Sequence, residues 1–107
     1  MSVEDLNKID FMGITENEPD AISLAISDHL AWGENTNDHL YKLQEKINSY
    51  IEFIESGQME ESFPKSKGKT KKIIEIYFKN YPPKDVLFFF DKVESVLAGI
   101  NVKLQLK

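Results

Sequence analysis

The sequence runs to 107 residues, 41% apolar and 29% charged, with no cysteine. That balance belongs to a globular chain of one domain, residues 1–107, and it excludes a disulfide framework, a cysteine zinc site and a thiol nucleophile. The net charge of −5 is unevenly spread: residues 1–61 carry fourteen Asp and Glu against three Lys, a balance of −11, and residues 62–107 carry four against ten, a balance of +6.

Every basic side chain is lysine; arginine is absent. Phosphate and nucleic-acid surfaces favour the planar two-pronged fork that only arginine supplies, so no nucleic-acid partner is expected. The first residues, Met1-Ser2-Val3-Glu4-Asp5, are acidic and open no apolar stretch of the kind a secretion signal needs. The longest apolar run, Val86 to Phe90, is far too short for a bilayer. The expectation is a soluble, cytoplasmic protein with no membrane attachment.

In chain order, Ile9, Phe11 and Gly13 alternate with Asp10 and Met12, which predicts a strand over 8–14. Residues 16–20, with Asn, Pro and Asp, read as a turn. Ile22, Leu24 and Ile26 then alternate with Ala21, Ser23, Ala25 and Ser27, a half-buried strand with a small, polar outer face, close enough to pair with the first as a hairpin. From Asn37 to Ser56 the period changes: Leu40, Leu43, Ile47, Ile51 and Ile54 fall three or four apart, with Tyr50 widening the stripe. This is an amphipathic helix, begun near Asn35 to Asn37 and stopped at Ser56-Gly57.

Residues 57–69 read as an exposed loop. Thr70 to Lys79 reads as a third strand with Ile74, Ile76 and Phe78 on one face, Ile73 and Tyr77 on the other, and both faces covered. Tyr81-Pro82-Pro83 ends it, and a second helix runs to Ala98 with Val86, Phe89, Phe90, Val93 and Leu97 inward, Phe88 on a flank and Gly99 as the stop. Val102, Leu104 and Leu106 alternate with Lys103, Gln105 and Lys107 in a last strand. The order ββαβαβ predicts an α+β two-layer sandwich: a four-stranded, largely antiparallel sheet with two helices packed on one face.

Between the second strand and the first helix lies a segment holding both histidines, each preceded by an aspartate, and the only tryptophan: Asp28-His29, Trp32-Gly33-Glu34 and Asp38-His39. Imidazole beside carboxylate suits a metal site or an acid–base pair. The competing explanation is local structure: Asp28 ends the strand through a turn bond, Asp38-His39 occupies the helix's first turn, where acid complements the dipole, and Trp32 lids the core with its N–H satisfied. The ten-residue spacing of the histidines fits no metal motif, and there is no HExxH pair. No catalytic residue, metal or cofactor is therefore assigned. Gly68-Lys69-Thr70, in the lysine run 65–72, lacks the leading glycine and the following helix of a phosphate-binding loop. It reads as a solvated loop touching the acidic half.

The stretches Ile26-Ser27-Asp28-His29-Leu30-Ala31-Trp32, His39-Leu40-Tyr41-Lys42-Leu43-Gln44-Glu45-Lys46-Ile47-Asn48 and Tyr50 to Gln58 carry a resemblance. The chain resembles a family of small bacterial proteins of unknown function with an ISDHLxW…HLxxLQEKINxYIxFIESGQ pattern, closely over 8–58. The resemblance implies a bacterial cytoplasmic protein and transfers no activity. With the −11 balance of residues 1–61, the expectation is an immunity- or antitoxin-like interaction protein that presents an acidic surface to a basic protein partner. Asp28, His29, Trp32, Glu34, Asp38 and His39 are the candidate binding residues, Trp32 being the aromatic anchor. The alternative is a small metal- or ligand-dependent enzyme using His29, His39 and flanking carboxylates. A homodimer through the last strand or the Phe88 flank is a further possibility.

Overall fold

The computed structural model describes residues 9–15, 18–33, 35–66, 68 and 71–107. Strand β1 (Phe11–Thr15) leads into β2 (Glu18–Asp28), followed by helix α1 (Thr36–Glu55), a short helix α2 (Gln58–Ser62), β3 (Lys71–Phe78), α3 (Leu87–Ala98) and β4 (Val102–Leu106). Single 3₁₀ turns at Pro64–Ser66 and Lys84–Val86 precede β3 and α3.

The sheet order is β1-β2-β3-β4. The β1–β2 pair is antiparallel, whereas β2–β3 and β3–β4 are parallel. The sheet is therefore mixed, and the largely antiparallel sheet read from the sequence is corrected. The reason is connectivity: each of the last two links passes through a helix, and a strand–helix–strand crossover returns the chain in its starting direction.

A single buried cluster joins Ile22, Leu24 and Ile26 of β2, Ile74 and Ile76 of β3 and Val102 of β4 to Leu43, Ile47 and Tyr50 of α1 and to Phe90, Val93 and Leu97 of α3. Both long helices thus cover the face that carries the even-numbered residues of β2. On the opposite face Ile73 is buried at 6% whereas Tyr77 is 48% exposed, so the expected cover of β3 on both sides holds at its start and fails at its end.

Two segments depart further from the sequence reading. Residues 18–20 belong to β2, not to a turn. The register slips between Ile14↔Ile22 and Thr15↔Glu18, which leaves Pro19 in the irregularity, where no ladder N–H is required of it. Within the predicted loop 57–69, α2 buries Met59 against the core, making a third helix. Gly57 links α1 to α2 at φ +86°, a left-handed turn that glycine enters without steric cost. Among the described residues no helix is long and apolar enough to cross a membrane.

Candidate functional site

The parallel strands deliver their carboxyl ends to one edge of the molecule, and at that edge β2 ends on Asp28. In the alternation of β2 an even position faces the helices, so Asp28 is carried inward behind Ile22, Leu24 and Ile26. It is buried, with 1% of its surface exposed. On α1, His39 shares the inward stripe of Leu43, Lys46, Ile47 and Tyr50 and is 2% exposed. The two meet: His39 Nε2 lies 2.6 Å from Asp28 Oδ2. The other carboxylate oxygen, Oδ1, accepts the Leu30 N–H at 3.0 Å, and the Asp28 carbonyl accepts the Lys79 N–H at 2.9 Å.

Trp32 closes over this pair. Its ring stacks on His39 with centroids 3.7 Å apart and planes 21° from parallel. The indole N–H donates to the Asn80 carbonyl at 2.8 Å, and Asn80 Nδ2 donates to the Leu30 carbonyl at 3.3 Å. The loop after β2 is thereby tied to the chain just beyond β3. The expected satisfaction of the indole N–H is met, by a main-chain oxygen 48 positions away.

One group in this arrangement lacks a partner. His39 Nδ1 is buried without a hydrogen bond. An ionised carboxylate can only accept, so Nε2 carries the hydrogen, and in the neutral ring Nδ1 is left as an acceptor. An unmet buried acceptor costs about 1–3 kcal/mol. The His39 ring also forms part of the wall of a cleft of about 410 Å³, together with Leu30, Ala31, Trp32, Asn35, Asp38 and Lys42. At its rim Asp38 holds Lys42 at 3.2 Å, one helical turn on.

The structure separates the six residues singled out in the sequence. Asp28, Trp32 and His39 form one cluster, and Asp38 stands at the rim of the cleft beside it. His29, at an odd position, is exposed. Glu34 lies outside the described residues. Asp28 and His39 are buried, at 1% and 2% exposure, and His39 borders the cleft as part of its wall. Among the described residues, no three His, Asp or Glu side chains gather as a metal ion would require.

A second polar cluster escaped the sequence reading. Lys46, fully buried, donates to Asp10 Oδ1 at 2.9 Å, and Asp10 Oδ2 accepts the Ser27 N–H at 2.9 Å. The Tyr50 hydroxyl donates to the Ala25 carbonyl and accepts the Asp10 N–H. Burial pushes the Tyr50 phenol well above its ordinary range; the Asp10 N–H opposes that shift and the Asp10 carboxylate adds to it. The signal was present in the helical spacing, because Lys46 falls between His39 and Tyr50 on the inward stripe. This network pins the chain entering β1, and the middle of β2, to α1.

The outward side of α1 is different in kind. Asp38, Tyr41, Glu45, Asn48, Glu52 and Glu55 recur every three or four residues and so share one face. All but the half-buried Glu45 are exposed, and Tyr41 is 62% exposed. No basic residue stands in the last turn of α1, and α2 adds exposed Glu60 and Glu61. The result is an acidic ridge about 26 Å long at 1.5 Å per residue, with the cleft at its head.

Mixed sheet, helical crossovers and a polar cluster at the strands' carboxyl edge define an α+β domain. The whole chain, residues 1–107, matches the model of a family described as Family of unknown function (DUF6572), and the chain belongs to that family. No curated protein and no solved structure matches it.

Proposed function

We propose that the domain is an interaction module that binds a basic protein partner along the acidic ridge of α1. One observation carries this reading: Glu52 and Glu55 stand exposed in the last turn of α1 with no cation beside them in that turn. A helix C-terminus carries partial negative charge, so acid there opposes stability by some tenths of a kcal/mol per residue. A position that costs stability without serving the core is suited to recognition. Exposed Tyr41 supplies an aromatic contact on the same stripe.

The test separates stability from binding. In Glu52→Lys/Glu55→Lys, the reversed charges complement the helix end, and unfolding free energy should rise by about 0.5–1.5 kcal/mol in urea titration. Partner capture from host lysate should fall at least tenfold relative to the unaltered chain. Unchanged capture of the same basic protein by the variant would overturn the reading.

A further inference from the structure

We infer that the cleft at the head of α1 is a receptor pocket for a cationic side chain of the basic partner, a guanidinium or an ammonium, whose N–H donates to His39 Nδ1. This inference rests on the ridge reading for its partner and goes beyond it by naming the group bound and the atom that binds it.

His39 Nδ1 is the unpartnered nitrogen beside the cleft. Asp28 contacts the ring through Nε2 at 2.6 Å; with the imidazole neutral and its hydrogen on Nε2, the acceptor lone pair is at Nδ1, which is buried without a hydrogen bond. The complement of an unmet acceptor is a donor. Charge then selects among donors. Asp38 stands at the rim of the cleft and continues into the acidic stripe Glu45, Glu52 and Glu55, so a cationic donor is drawn along α1 toward the pocket. Asn35 lines the same wall, and the half-buried Trp32 supplies an apolar, electron-rich ring of the kind cations favour. Lys42, held by Asp38 at 3.2 Å, occupies the position an incoming guanidinium contests; the planar fork can take both carboxylate oxygens where an ammonium takes one.

Entry requires a small opening. His39 Nδ1 is sealed from solvent, and the loop after β2 lies over the ring: Trp32 stacks on it at 3.7 Å, and Leu30 lines the cleft beside it. That loop is held to Asn80 by two hydrogen bonds, at 2.8 and 3.3 Å. Asn80→Ala removes the weaker of the two and leaves the main-chain acceptor in place, so it loosens the loop without touching the pocket.

The experiment uses the intact ¹⁵N-labelled chain and two small cations. Methylguanidinium carries N–H donors; tetramethylammonium carries the same charge and none. With methylguanidinium, the His39 Nδ1 resonance should shift saturably, together with the amides of Thr36 to His39. With tetramethylammonium, Nδ1 should stay fixed. In Asn80→Ala the apparent affinity for methylguanidinium should rise two- to tenfold. If both cations perturb the amides of Asp38, Glu45, Glu52 and Glu55 while neither moves Nδ1, the pocket is refuted and the acidic ridge stands. If neither cation perturbs either region, the pocket is overturned, and the ridge reading is decided by partner capture with Glu52→Lys/Glu55→Lys.

Discussion

At the scale of single residues, the Asp28–His39 and Asp10–Lys46 pairs tie the strand side of the fold to α1. Asp28 depends on His39: without the imidazole its carboxylate keeps, among the described residues, only the Leu30 N–H. Removing one partner of a buried pair costs about 3–5 kcal/mol, and the Trp32 stack is lost with it. His39→Ala should therefore lower unfolding free energy by about 3 kcal/mol in urea titration, whereas His39→Asn should recover part of the loss if its amide reaches Asp28. Tyr50 makes a prediction of opposite character. Its folded-state phenol is raised above the ordinary value of 10.0, so the native state holds that proton longer than the unfolded chain does. The stability this provides is complete below pH 10 and is lost as pH climbs beyond it. Phenolate absorbance from Tyr50 should thus appear only together with alkaline unfolding, and not as a separate native-state titration.

These ties were half legible from the residues alone. Asp28 sits at an even position behind Ile22, Leu24 and Ile26, and His39 one turn before Leu43, so strand alternation and helical period each place one of them inward. An inward carboxylate needs a partner, and the imidazole was the available one. Spacing could not show that they meet, because the contact spans a strand end, a loop and a helix start. His29, adjacent to Asp28 and superficially equivalent to His39, falls on the other parity and is exposed.

At the scale of elements, periodic segments were read well and short ones poorly. The α1 stripe predicted a helix over 37–56, and the helix spans Thr36–Glu55. Five residues are too few to display a period, so the sequence shows no helix where α2 buries Met59. The parallel pairings were implicit in the element order: a helix between consecutive strands sets direction, even though β-propensity does not distinguish parallel from antiparallel. The break between α1 and α2 depends on Gly57 at φ +86°, where an added Cβ would meet nothing within 4 Å. The cost of a side chain there is conformational, not steric crowding. Gly57→Ala should destabilise the protein by about 1 kcal/mol, measured by thermal or urea unfolding, with the core otherwise unchanged.

At the scale of the whole molecule, the opposed charge of the two halves becomes a surface with direction. The cleft and the tryptophan mark one end of α1, and the exposed glutamates of α1 and α2 mark the other. A competing surface exists on the open side of the sheet, where Phe11 is exposed beside Ala25, Ser27 and Tyr77. Its apolar lining would suit a partner of different chemistry, and binding there would be insensitive to salt. Association along α1, in contrast, should slow steeply as ionic strength rises. The most direct measurement is chemical-shift mapping on the ¹⁵N-labelled chain saturated with the captured basic partner. Binding along the acidic ridge predicts that the largest changes fall on Asp38, Tyr41, Glu45, Glu52, Glu55 and the Trp32 indole. Changes centred on Phe11, Ser27 and Tyr77, with the α1 stripe undisturbed, would contradict it.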